Sequence, residues 1–100
     1  MSEYKTLLEF SRPEFVKDLS ISRANDQGLL KVWFLVARNY SEESIELTGF
    51  EGLAEAVSSL LQAESATISK EVNSGKEFGI IKIECWVDEC YREYICDSAE

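Results

Sequence analysis

Apolar residues recur at helical spacing in one stretch, Leu47 to Ser65 (LTGFEGLAEAVSSLLQAES). Phe50, Leu53, Ala54, Val57, Leu60 and Leu61 fall at i, i+3, i+4, i+7, i+10 and i+11, a single stripe on a 3.6-residue period with polar residues opposite. Thr48 and Glu51 have the spacing of a capping box, so the helix is predicted to run over about 49–64. No glycine closes its C-terminal end, and only the loss of periodicity marks the boundary there.

On both sides of this helix the period is two. Tyr4, Thr6, Leu8 and Phe10 alternate with Lys5, Leu7 and Glu9 in an opening strand, and Ser11-Arg12-Pro13-Glu14 breaks it, because proline has no N–H for a ladder. Phe15 to Arg23 alternates again, with Phe15, Lys17, Leu19 and Ile21 on one side, and Asn25 to Gly28 reads as a hairpin loop. Leu29 to Arg38 is apolar on both faces, which predicts a central strand covered by the helix on one side and by something else on the other. Asn39 to Ser44 is a polar turn, followed by a short strand at Ile45 and Leu47.

Beyond the helix, Ala66 to Val72 alternates with Ala66, Ile68 and Val72 inward, Asn73 to Lys76 is a turn, and Phe78 to Val87 is a long strand with Ile81, Ile83, Cys85 and Val87 on one side. A bend or turn at Asp88-Glu89 lets Cys90 to Cys96 pair back as a final strand. The predicted fold is a single α+β domain over residues 1–100, an antiparallel sheet of about six to seven strands with one main helix packed on one face.

Composition narrows the function classes. With 45 % apolar residues, a chain of 100 residues buries a core without disulfides or metal. No apolar run reaches the length of an export signal or a membrane span, so the cytoplasm is the default compartment. Cys85, Cys90 and Cys96 are odd in number and lack a C-x-x-C pair, which reads as reduced core filler and argues against a metal or redox site. There is no histidine, so Ser-His and Cys-His nucleophile pairs are excluded. The glycines form no phosphate-cradling pattern, and the acidic pairs Glu42-Glu43 and Asp88-Glu89 sit at turns, where carboxylates stay solvated. No enzyme, cofactor or metal is expected.

The net charge is −9, which argues against direct binding of nucleic acid or anionic membrane. Its distribution is more informative than its size. Residues 42–64 hold six carboxylates and no cation, and residues 84–100 hold six carboxylates against one arginine, while the rest of the chain is nearly neutral. Two such blocks read as a field aimed at a basic partner. In WVDECYREYICD, Trp86, Tyr91 and Tyr94 are interleaved with Asp88, Glu89, Glu93 and Asp97. Aromatic anchors among steering carboxylates suit a protein interface, and Glu42, Glu43 and Glu46 of the first block join them as candidate partner-binding residues.

In this architecture and charge, with a helix entered through LTGF and followed by two long strands, the chain resembles immunity proteins of bacterial contact-dependent and polymorphic toxin systems. The resemblance spans the whole chain but rests on no signature motif and assigns no residue a role. It implies a cytoplasmic toxin inhibitor, a non-catalytic acidic protein that covers the active or substrate-binding surface of a basic toxin, such as a nuclease. Two other readings fit the same residues. One is a phage-type inhibitor that mimics nucleic acid, as anti-CRISPR and anti-restriction proteins do. The other is a small homo-oligomeric regulatory subunit that dimerises through Leu29 to Arg38.

Overall fold

Period-two alternation becomes sheet almost wherever the chain carries it. The structure, a computed structural model, describes residues 3–23, 30–38, 41–72, 75 and 79–99. In chain order they form β1 (Glu3–Ser11), β2 (Phe15–Arg23), β3 (Leu30–Ala37), β4 (Glu42–Thr48), α1 (Leu53–Gln62), β5 (Ser65–Val72), β6 (Ile81–Val87), β7 (Cys90–Cys96) and β8 (Ser98–Ala99). The α+β class holds, but the single broad sheet does not. Two four-stranded antiparallel sheets form instead, in the orders β1-β5-β6-β7 and β2-β3-β4-β8.

The chain changes sheet at three points, and α1 makes one of them by joining β4 of the second sheet to β5 of the first. Ser11 to Glu14, with the proline, carries it from β1 into β2, and Asp97 carries it from β7 into β8. Alternation records which residues share a face and is silent on which strands share a ladder, so at Ser11 to Glu14 and at Asp97 it marks a break without saying that the chain leaves its sheet.

The core lies between the sheets. Val32, Phe34, Val36, Ile45 and Leu47 of the second sheet bury their side chains with Leu8, Phe10, Ala66, Ile68, Ile81, Ile83, Cys85, Val87 and Cys96 of the first. β3 is central, between β2 and β4, and its Val32–Val36 face is fully enclosed, but mainly by the other sheet rather than by the helix. Its other face, with Trp33, Leu35 and Ala37, is half-buried. Two bulges adjust the pattern. One in β2 between Val16 and Asp18 lets Val16 and Leu19 both pack on the core, while Phe15 and Ile21 are exposed. The other, in β1 between Thr6 and Leu8, lies opposite the point in β5 where burial passes from Ala66 and Ile68 to Ser69 and Glu71, so Val72 is only half-buried.

The helix is shorter than its apolar period. Gly49 (φ 78) and Gly52 (φ 69) both take left-handed backbone, which a continuing helix does not allow, and Gly52 becomes the N-cap. The expected Thr48–Glu51 capping box does not form, because Thr48 is the last residue of β4 and its hydroxyl hydrogen-bonds Ser98. Starting later also turns the helix. Ala56, Ser59 and Leu60 are buried and Leu53 and Val57 pack on the core, whereas Ala54 and Leu61 of the expected stripe are exposed. α1 lies against β6 of the first sheet and β2 of the second. No helix among the described residues is long and apolar enough to cross a membrane.

The loop expected at Asn25 to Gly28 lies outside the described residues, as does most of the Asn73 to Lys76 turn, of which Gly75 has a positive φ of 74. The long strand expected from Phe78 is regular from Ile81.

Candidate docking face on the first sheet

β6 and β7 form a hairpin closed by Asp88-Glu89, with Val87 opposite Cys90. Counting back from that turn pairs Trp86 with Tyr91, Glu84 with Glu93 and Lys82 with Ile95. All six belong to the side of β6 and β7 that faces away from the buried Ile81, Ile83, Cys85 and Val87. Trp86, Tyr91 and Ile95 are 47 %, 45 % and 41 % exposed, so this outer face carries a patch of large apolar surface framed by carboxylates.

The patch is ordered by its own contacts. The Trp86 and Tyr91 rings meet edge to face with centroids 5.5 Å apart. The Tyr91 hydroxyl lies 2.9 Å from Glu84 Oε2 and 2.8 Å from Glu93 Oε2, donating between two carboxylates that face each other across the ladder. Like charges directly opposite in a sheet repel, and Lys82, 3.6 Å from Glu84, offsets only one of them. Desolvation and these hydrogen bonds push the Tyr91 hydroxyl well above the ordinary tyrosine range. Lys82 also sits 4.0 Å from the centroid of the Tyr4 ring, which extends the patch onto β1.

Asp88 and Glu89 both have positive φ, 50 and 67. A two-residue hairpin turn of this kind favours Asn-Gly, since left-handed backbone is unfavourable for residues with a side chain beyond Cα. This chain places two exposed carboxylates there, and among the described residues neither has a cation within ion-pair distance.

The other candidate residues are distributed differently. Tyr94 lies on the opposite, inner face of β7, half-buried, with its hydroxyl 2.6 Å from the Ser59 hydroxyl of α1. Asp97 is a structural acceptor. Its Oδ1 takes the N–H of Gly79 at 2.8 Å, its own N–H bonds Thr48 O, and its side chain fills the space beside Gly49. Glu42, Glu43 and Glu46 are on the second sheet, each paired with a cation: Lys17 at 2.8 Å, Arg38 at 3.1 Å and Lys31 at 3.8 Å. Glu64 pairs with Arg12 at 3.8 Å. The hydrogen bond from Lys17 to Glu42 raises the lysine's pKa. The acidic run 42–64 is therefore largely neutralised by cations from elsewhere in the chain, and Glu51 and Glu55 near the start of α1 are its unpaired members among the described residues.

Glu84 and Ile95 belong to the patch although the interleaving of aromatics and acids does not single them out. Both are legible from the register, because a two-residue turn at 88–89 fixes Glu84 opposite Glu93 by counting.

Two concave regions adjoin these elements. A groove of about 480 Å³ between α1 and β7 is lined by Ala54, Glu55, Ser58, Arg92 and Tyr94, and Arg92 donates to the Ser59 hydroxyl at 3.3 Å. A second, of about 360 Å³, lies where Arg38 meets β1 and β5. Arg38 donates to Glu9 O and faces Glu14 and Glu43, so its charge is already met by carboxylates. Cys85 and Cys96 are fully buried and Cys90 is exposed next to the turn, and no three Cys, Asp or Glu residues converge as a metal site among the described residues. The outer face of β6 and β7 thus presents exposed apolar side chains flanked by carboxylates. No protein-family model, curated protein or solved structure matches the chain.

Proposed function

We propose that this protein is a non-catalytic binding protein that uses the outer face of the β6–β7 hairpin to cover a basic surface of another protein, and that it acts as an immunity-type inhibitor of a basic toxin, such as a nuclease, in the cytoplasm. The observation that carries the reading is the cluster of Glu84 and Glu93, opposed across the ladder, beside exposed Trp86 and Tyr91. Such a cluster is held against its own repulsion and is relieved when a lysine or arginine of a partner enters between the carboxylates. Asp88 and Glu89 at the hairpin tip extend the same field, which speeds encounter with a cationic partner. A nuclease active site must be cationic to hold phosphates, and that makes it a fitting target.

The test is affinity capture at low ionic strength with the wild-type chain and with an Asp88→Lys/Glu89→Lys/Glu93→Lys variant, followed by assay of whatever is retained. The wild type should retain a basic protein whose activity it inhibits at one-to-one stoichiometry, and the variant should lose it. Recovery of no basic protein, or equal retention by the variant, contradicts the reading.

A further inference from the structure

Sheet edges are templates for another strand, and proteins usually blunt them. The four edge strands here are β1 and β7 in the first sheet and β2 and β8 in the second. β1 and β2 are each interrupted by a bulge, and β8 covers only Leu47 and Thr48 of β4, whose remaining edge from Glu42 to Glu46 carries carboxylates already paired with Lys17, Arg38 and Lys31. β7 is seven residues of unbroken register, with five of them exposed.

Which of its backbone groups are free follows from the hairpin. The Val87–Cys90 pair closes a two-residue turn and is hydrogen-bonded, so Cys90, Arg92, Tyr94 and Cys96 direct N–H and C=O toward β6, and Tyr91, Glu93 and Ile95 direct theirs away. Two observed bonds fix this phase. Trp86 O, opposite Tyr91, accepts from Glu64 N on the far side of β6, and Ile95 O accepts from Glu51 N on the open side of β7. Past Ile95 the segment before α1 closes the edge. From the turn to that point, among the described residues, nothing bonds the outward N–H and C=O of Tyr91 and Glu93. The groove between α1 and β7 runs beside this open stretch.

We infer that the partner docks by strand addition, with an extended basic segment of the partner protein lying along β7 in the groove beside α1 and pairing with the outward backbone of Tyr91 and Glu93. This rests on the reading that the partner is a basic protein, and names how it is held. In a strand laid there, alternate side chains fall on the outer face next to Tyr91, Glu93 and Glu84, where lysine or arginine is matched by carboxylates. The intervening side chains enter the groove over Tyr94 and Ser58, where small or apolar groups fit between α1 and the sheet. Backbone bonds supply attachment, and the two carboxylates and two aromatic rings select a cationic row.

The probe is an acetylated, amidated hexapeptide alternating lysine and valine, compared with the same sequence N-methylated at every amide, which keeps charge and side chains and removes every backbone donor. The unmodified peptide should slow amide exchange at Tyr91 and Glu93 by about tenfold or more and bind about tenfold tighter than the methylated one. Glu93→Pro removes one outward donor while sparing the ladder to β6, and should weaken binding beyond Glu93→Gln, which removes the charge alone. Equal binding of the two peptides, or unchanged exchange at Tyr91 and Glu93, overturns strand addition, as does failure of both to bind. The wider reading fails separately, on charge reversal in the capture experiment.

Discussion

Glu89 is held at a φ of 67, where a side chain is disfavoured and glycine is not. Among the described residues nothing uses its carboxylate, so its presence there is a stability sacrifice of the kind that collects at functional sites. Glu89→Gly should stabilise the domain by about 1 kcal/mol in urea unfolding while slowing association with the cationic partner. A destabilised variant would mean that the glutamate is structural. The buried thiols make a second case. Desolvation pushes Cys85 up to about 11 and Cys96 up to about 12, from 9.0 in the open chain. Between those values the unfolded chain has lost protons that the folded one keeps, so stability is full below about pH 9 and is lost as pH rises through the folded values. By about pH 10.5 the loss is on the order of 2 kcal/mol for each thiol, and a Cys85→Ala/Cys96→Ala variant should show a flatter decline between about pH 8 and about pH 10.5, whatever its starting stability.

Helix α1 is joined to the first sheet by few polar contacts, and Ser59 is the main one. Its hydroxyl is fully buried, meets Tyr94 at 2.6 Å and receives Arg92. Ser59→Ala should cost about 1–2 kcal/mol by stranding the Tyr94 hydroxyl, and adding Tyr94→Phe should recover part of it, because two apolar partners leave nothing unpaired. Additive losses would show that the two hydroxyls are independent. At the other end of the element, a Cβ on Gly49 would overlap the Asp97 side chain, whereas one on Gly75 would meet nothing within 4 Å. Both have positive φ, so Gly49→Ala should destabilise by clearly more than the roughly 1 kcal/mol expected of Gly75→Ala.

The helix also marks what periodicity conveys. Leu53, Val57 and Leu60 were legible as its core side, but Phe50 shares their period from outside the helix, and Ala56 replaces Ala54 because the two left-handed glycines delay the first turn. Strand positions were legible nearly to the residue at Phe15 to Arg23 and at Cys90 to Cys96. Their division between two sheets was not, since the breaks at Pro13 and Asp97 look the same in the alternation whether the next strand joins the same sheet or the other.

Charge behaves in the same way. In sequence, residues 42–64 and 84–100 form two acidic blocks of six carboxylates each, yet folding sends Lys17, Lys31, Arg38 and Arg12 to four carboxylates of the first. All four cations lie outside the acidic run, and all but Arg38 are distant from their partners in the chain, so a local count misses them. Pairing strips the first block of most of its field and leaves Asp88, Glu89 and Glu93, beside a Glu84 offset by Lys82, as the concentrated anionic surface, flanked by exposed aromatics. Tyr94 and Asp97, adjacent in sequence to that surface, turn inward and hold the hairpin to α1 and to the chain around Gly49.

The most direct measurement is the association rate with the captured cationic protein, followed against ionic strength, for two variants that each remove three carboxylates. Asp88→Asn/Glu89→Gln/Glu93→Gln should slow association by about tenfold or more at low salt and flatten its salt dependence. Glu42→Gln/Glu43→Gln/Glu46→Gln, with the same change in net charge, should alter it far less because those groups lie on β4 of the second sheet, away from the β6–β7 surface. Equal slowing by the two variants would mean that overall charge, rather than the β6–β7 surface, brings the partner in.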